Sequence, residues 1–428
     1  MNTLLLVGAN DDAVVKAKDL GLTVLLLQYP GKLTDVQEAL ADVVRIVDYT
    51  SWEETAPVVA ALHAAPGFTV AHSLTEPGLE NAARVNDRYG LGGTPHAVTR
   101  LLRDKLAMRR HLLARDPDAV AAAPLNSRAD LAAFGERHGH PFIVKPVDAT
   151  ASIAVHRVDS PADADRVWAE VAALRGTRTD RVSDMYTLTD FLIEEYVDGP
   201  EFSVETFSFA GRHVVVAVTE KFVADGCFAE IGHALPARIG PADDAAIRAA
   251  VARFLDHVGF ADGVTHTELR LSARGPVVIE SHDRIAGDAI AELVRGAYGI
   301  DLTTYAFGWP FGLVPELPDR PEPRAGAAVR AIVAGHGTVA SISGAAATRA
   351  LPEVLDLRLT ATPGAPTRPL RDNWDRLGLV AVTGHDTDAA IRAGERIVAE
   401  VLDVRVTTPS GDTVRAQAAP VGRAGAPV

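Results

Sequence analysis

The chain has 428 residues, enough for two to four domains, with 47% apolar and 23% charged residues, the balance of a soluble globular protein. Its net charge of −14 argues against general binding to nucleic acid or anionic membranes, which needs basic patches. The single cysteine, Cys227, excludes an intrachain disulfide and a cysteine metal cluster; with no spanning-length apolar run and no signal-peptide pattern in MNTLLLVGAN, a cytoplasmic location is expected.

The first hundred residues alternate. LLLVGAN (4–10) predicts a buried strand, Asp11–Leu20 a helix, TVLLLQY (23–29) and VVRIVDY (43–49) two strands, Thr50–Ala65 a helix and FTVAHS (68–73) a fourth strand. This rhythm predicts a parallel sheet with helices on both faces. Gly8-Ala9-Asn10 lacks the glycine pattern of a dinucleotide site. Residues 80–115 read as helical and carry the basic cluster RLLRDKLAMRRH (100–111), expected as a solvated face apart from Lys105. Pro117 and Pro124 mark a boundary.

FIVKPVD (142–148) predicts a short strand, 161–175 an amphipathic helix, and FLIEEYVDGPEFSVETFSF (191–209) strand, turn, strand. HVVVAVTEKF (213–222) follows as a strand and Asp243–Val258 as a helix. VTHTELRLS (264–272) and GPVVIES (275–281) predict a hairpin, then Ala289–Gly299 a helix. A linker with Pro315, Pro318, Pro321 and Pro323 leads to strands near 327–334, 354–360 and 379–384 and a helix at 387–402, expected as a small α+β domain. The stretch from Thr408 to the end is expected to be a frayed tail.

Lys145, inside an apolar strand, is costly to bury unless it meets an anion such as phosphate; an edge-strand lysine facing water is the alternative. In IEEYVDGPEFSVE a backbone hinge could bond a purine edge and Glu201 a ribose hydroxyl, or the segment is a plain hairpin with exposed acids. Glu268 and Glu280 lie twelve residues apart across the predicted hairpin, where cross-strand carboxylates come close and repel unless a cation sits between them. Mg²⁺ accepts one or two protein carboxylates with phosphate oxygens and water, so this pair suggests a metal–nucleotide site. GxxxxGK[ST] is absent, so the site is not a P-loop.

Lys105, FIVKP, IEEYVDGPEFSVE, HTELR and IESHDRIAGD, in that order, resemble the ATP-grasp superfamily of carboxylate–amine ligases. AEIGHALPA (229–237), THTELR and IESHDRIAG resemble more narrowly the L-amino-acid ligases that make dipeptides, such as alanine–anticapsin ligase. The resemblance implies an α/β and α+β architecture: a Rossmann-like pre-grasp domain at 1–100, an ATP-grasp domain at 101–305 with a small lid subdomain at about 120–197, and a C-terminal α+β domain at 306–428.

It also implies roles. Lys105 and Lys145 look like the lysines on ATP phosphates, with Ser152 counted among the ATP-binding residues; Glu194, Glu195 and Val197 look like the adenine hinge, and Glu201 like the ribose ligand. Glu268 and Glu280 resemble ligands for one or two Mg²⁺ ions, with Mn²⁺ as an alternative, and Arg284 the arginine that stabilises the acyl phosphate. Glu230 and His233 resemble the amino-acid pocket. His282 stands where the family often has Asn: a third metal ligand, or a substrate or supporting residue. The loop VDATASIAV (147–155), expected as a lid, lacks the family's usual glycines.

The expected activity is ATP-dependent amide or peptide bond formation between an amino acid or related carboxylate and an amine. A γ-glutamyl or other non-dipeptide amide ligase is one alternative, and a non-catalytic ATP-binding scaffold another. The partners implied are small molecules, with no nucleic acid or membrane, and a homodimer is a resemblance-level expectation.

Overall fold

The computed structural model describes residues 2–116, 118–178, 187–224 and 226–419. The boundary proline Pro117 and tail residues 420–428 lie outside them.

The N-terminal alternation folds as expected. Thr3–Val7, Thr23–Gln28, Val43–Ile46 and Val70–His72 form a parallel sheet in the spatial order third, second, first, fourth. The first two strands are buried almost throughout, as continuous apolar runs covered on both faces must be. Asn10 accepts the Ala13 N–H at 2.9 Å and starts the helix Asp11–Asp19. The segment expected as helical at 80–115 is three helices, Leu79–Tyr89, His96–Arg103 and Lys105–Leu113. Left-handed Gly90 ends the first (φ 64°), and extended Asp104 separates the other two.

A second sheet is antiparallel, in the order Ala122–Pro124, Phe191–Glu195, Phe142–Pro146, His156–Val158. Its core includes Phe142, Val144, Phe191 and Ile193, with Leu131 and Phe134 from the helix Arg128–His138 and Val167 and Val171 from Ala164–Leu174.

The strands of FLIEEYVDGPEFSVETFSF do not form a hairpin. Phe191–Glu195 belongs to this second sheet, while Glu201–Phe209 pairs with Arg212–Val223 and Gly263–Ser272 in a nine-stranded antiparallel sheet. The turn between them carries the chain from one sheet to the other. Gly199 sits there at φ 113°, where a Cβ would collide with the Leu271 carbonyl.

The nine-stranded sheet runs Gly275–His282, Gly263–Ser272, Glu201–Phe209, Arg212–Val223, Glu230–Leu235, Gly326–Val333, Gly378–Gly384, Val354–Leu359, with Gln417–Ala418 also on Gly326–Val333. The C-terminal segment therefore shares a sheet with the central strands across position 306. The stretch from Thr408, expected to fray, is paired as far as Ala418: Thr413–Arg415 bonds to Asp403–Thr407. No helix among the described residues is long and apolar enough to cross a membrane.

Candidate active site

A cleft of about 850 Å³ opens between the four-stranded sheet that holds Phe142–Pro146 and the nine-stranded sheet. Lys105, Lys145, Ser152, Glu194, Glu195, Val197, Glu201, Glu230, Glu268 and Glu280 all line it; His233, His282 and Arg284 are not among its lining residues. Ile143, Ile153, Val155, Val197 and Ile279 supply apolar surface, the mixture expected of a small-molecule site.

Lys145 and Glu194 project from neighbouring strands, on one face, because Lys145 registers with Leu192 two residues before Glu194. Lys145 Nζ lies 2.6 Å from Glu194 Oε1 and 3.9 Å from Glu280 Oε2. Lys105 is placed by its helix, capped by Asp104, and donates to the Ala149 carbonyl at 2.7 Å with Glu280 Oε2 at 3.5 Å. Glu194 thus faces Lys145, and Glu195, Tyr196 and Val197 line the cleft beside it.

The basic cluster RLLRDKLAMRRH holds a second buried basic residue besides Lys105. Arg109 is 1% exposed, donates to Glu194 Oε2 at 2.9 Å, and gives its terminal nitrogens to the carbonyls of Val278 and Ile279 at 2.7 Å each. The hairpin register shifts beside Glu268, so Ile279 is an extra residue in its strand, and Arg109 satisfies the carbonyl exposed there.

Glu268 and Glu280 are cross-strand partners, as the spacing predicts. Each already carries cations from the protein: Lys221 Nζ lies 2.8 Å from Glu268, and Lys105 3.5 Å from Glu280. Burial alone would raise both carboxyls, but Lys221 and then His266 hold Glu268 well below the usual range, and chiefly Lys105 does so for Glu280.

Two histidines stand behind the pair. His266 spans Glu205 at 2.9 Å and Glu268 at 3.2 Å. His282 spans Glu76 and Glu280 at 3.1 Å each. Burial would lower both imidazoles; the flanking carboxylates reverse this, pushing His266 up to about 10 and raising His282. Both nitrogens of His282 are engaged, so it has no free lone pair for a metal, and the expectation of a third metal ligand does not fit this arrangement.

Glu76 is a buried anchor that sequence reasoning passed over. It binds His282, Arg284 and Arg103, which overcome the effect of burial and hold its carboxyl well below the ordinary value. Arg284 is oriented by Glu76 and by the Ile285 carbonyl at 2.8 Å.

Glu230 and His233, expected at the amino-acid pocket, and Asp288 bring ligand atoms within 4.8 Å of one another. Asp288 takes Arg376 bidentately and lies 3.4 Å from His233 Nε2. Asp288 and Ala289 both have positive φ, 50° and 63°, and Gly287 does not, so the strain of this turn falls on non-glycine residues. Asn373, from the C-terminal segment, bonds Glu230 at 2.9 Å through its side chain.

The loop expected as a lid lines the cleft, and Ser152 Oγ donates to the Phe228 carbonyl at 2.8 Å. Its missing glycines do not prevent left-handed backbone: Ala151, Ser152 and Ala154 have φ of 60°, 58° and 53°.

Residues 138–292 match the ATP-grasp domain family and residues 330–402 the L-amino acid ligase C-terminal domain 2. Carnosine synthase 1 of Homo sapiens is 27% identical over 289 residues, 64% of this chain and 34% of that protein, so the chain spans about a third of that relative's length. The L-amino acid ligase from Bacillus licheniformis superposes with a TM-score of 0.78 at 23% identity, covering 94% of this chain and 98% of that one. N5-carboxyaminoimidazole synthetase from Staphylococcus aureus, complexed with ADP, superposes at 0.67 and 14% identity, covering 92% and 96%. The expected fold is thereby observed.

Proposed function

We propose, for a chain that belongs to the ATP-grasp superfamily and carries an L-amino acid ligase C-terminal domain, that it is an ADP-forming ligase joining an amino acid or related carboxylate to an amine. One observation carries this reading: Lys105, Lys145, Glu268 and Glu280 converge in a single cleft that also carries apolar surface from Ile143, Ile153, Val155, Val197 and Ile279.

ATP would lie with its base against Glu195–Val197 and its ribose toward Glu201. Lys105 and Lys145, held beside Glu280 and Glu194, would turn to the phosphates. The donor set suits Mg²⁺, since Glu268 and Glu280 offer hard oxygens from paired strands, and Mn²⁺ fits the same donors. When bound, one or two such ions would neutralise phosphate oxygens.

A substrate carboxylate attacks the γ-phosphorus, giving an acyl phosphate and ADP; the amine then attacks the acyl carbon and phosphate leaves. The chain supplies position and charge for both steps. His282 and His266 hold Glu280 and Glu268 in orientation, and Arg284, fixed by Glu76, offsets charge on the phosphoryl group. Glu230, His233 and Asp288 suit a substrate ammonium. The 147–155 loop excludes water from the acyl phosphate. The left-handed backbone at Ala151, Ser152 and Ala154 supports this role for a loop without glycine.

A phosphate-release screen of amino-acid pairs with Mg²⁺-ATP tests the reading. Substrate-stimulated ADP formation supports it, and its absence across the panel rejects it. Glutamate donors in the same screen separate dipeptide from γ-glutamyl products. A cytoplasmic homodimer completes the proposal.

A further inference from the structure

Lys221 joins three parts of the cleft. Glu268, Glu201, Lys221 and Glu230 come one each from four consecutive strands of the nine-stranded sheet. The Lys221 side chain is 1% exposed, and its ammonium lies 2.9 Å from Glu201 Oε1, 2.8 Å from Glu268 Oε2 and in contact with Glu230 Oε1. Each carboxylate gives its other oxygen to a partner of its own: Glu201 to Arg270 at 2.9 Å, Glu268 to His266 at 3.2 Å and Glu230 to Asn373 at 2.9 Å.

The three carboxylates bring oxygens within 4.8 Å of one another. Carboxylates that close repel unless a cation stands among them, and oxygen donors so gathered would hold a hard divalent ion. Here the cation is a side chain, fixed by the strand that bears it.

We propose that Lys221 is a positioning residue: a built-in cation that occupies the centre of this triad, excludes a divalent ion from it, and fixes the orientations of Glu201, Glu230 and Glu268. The identity of the three subsites it ties together (nucleotide, metal and amino-acid substrate) rests on the ligase reading; its place in the triad does not. Lys221 acts through the carboxylates and touches no reacting atom.

The test uses the full chain, as wild type, Lys221→Met and Lys221→Arg. Nucleotide-free protein is titrated with Mn²⁺ by electron paramagnetic resonance, ATP affinity is measured by calorimetry, and folding is checked by thermal melting. Folded Lys221→Met is expected to gain one Mn²⁺ equivalent that wild type and Lys221→Arg lack, and to bind ATP about 10–100-fold more weakly. A folded Lys221→Met with no added Mn²⁺, or with wild-type ATP affinity, overturns the proposal. Should that variant fail to fold, Lys221→Met combined with Glu230→Gln removes one charge of each sign and is read against Glu230→Gln alone by the same criteria. A wild type that binds ATP yet ligates nothing rejects the ligase reading, while the Mn²⁺ and ATP measurements still judge Lys221.

Discussion

His266 and His282 face each other as direct cross-strand partners in the hairpin of Gly263–Ser272 and Gly275–His282, with near-parallel rings 6.2 Å apart. Each bridges a carboxylate of the cleft to one behind it, His266 from Glu268 to Glu205 and His282 from Glu280 to Glu76. The hairpin therefore places both the two candidate metal carboxylates and the two groups that orient them. His282→Leu is expected to raise the Mg²⁺ concentration needed for half-maximal ADP formation by about 10–100-fold. An Mg²⁺ titration of the variant checks this, and an unchanged half-point would remove His282 from any part in orienting Glu280.

Glu280 touches both lysines as well as His282. Glu280→Gln keeps its shape and removes its charge. ADP formation is expected to fall by about 10²–10³-fold, the cost of losing one preorganised electrostatic group, in a variant that still folds but is less stable, because Lys105, Lys145 and His282 lose a shared carboxylate. Phosphate release at saturating ATP measures the loss; wild-type turnover would remove Glu280 from the metal site.

Arg109 ties the second sheet to the hairpin through Glu194 and the carbonyls of Val278 and Ile279. Arg109→Ala would leave the Glu194 carboxylate buried with Lys145 as its remaining ion-pair partner, and is expected to cost about 3–5 kcal/mol of stability. Denaturant unfolding checks the figure. Arg109→Ala with Glu194→Gln should recover part of it, because the stranded charge is gone.

Much of this was legible in the sequence wherever signals were local. Alternation drew the parallel sheet, Lys145 betrayed itself by sitting in an apolar strand, and a twelve-residue spacing put Glu268 opposite Glu280. Lys221 carries the same signature as Lys145, a lysine in an apolar strand, yet its significance depends on three other strands that no short window contains. Glu76 meets His282 across 206 positions, and Asn373 meets Glu230 across 143, so neither leaves a local trace. The strand, turn, strand reading of 191–209 holds, but its composition does not tell a hairpin from two strands in different sheets; the close approach of Gly199 to the Leu271 carbonyl that marks the crossing is not local in sequence.

The loop over the cleft carries strain that substitution can change in either direction. At Ala151, φ 60°, a left-handed backbone costs an L-residue roughly 1–2 kcal/mol. Ala151→Gly removes that cost and gives back about 0.5–1 kcal/mol in unfolded-chain entropy, so a gain of up to about 1 kcal/mol is expected. Ala151→Val should destabilise, because a β-branched residue tolerates positive φ worse than alanine. Denaturation midpoints of the two variants should move in opposite directions; a shared sign would mean that the loop does not hold this conformation in solution.

His72 gives a pH prediction away from the cleft. It lies edge-on to Phe307 at 5.5 Å, its Nε2 has no hydrogen-bond partner among the described residues, and burial lowers it from 6.5 to about 4. Between these values the unfolded chain binds a proton that the folded chain refuses, so stability rises with pH across that window and falls as the solution is acidified through it. Above pH 6.5 the group is neutral in both states and contributes no slope; below about 4 it is charged in both and the full penalty is present. The loss from this residue is at most about 3 kcal/mol. His72→Gln cannot ionise, so its unfolding free energy, measured from pH 7 to pH 4, should fall less steeply than that of the wild type. Parallel profiles would show that His72 keeps an ordinary titration in the folded chain.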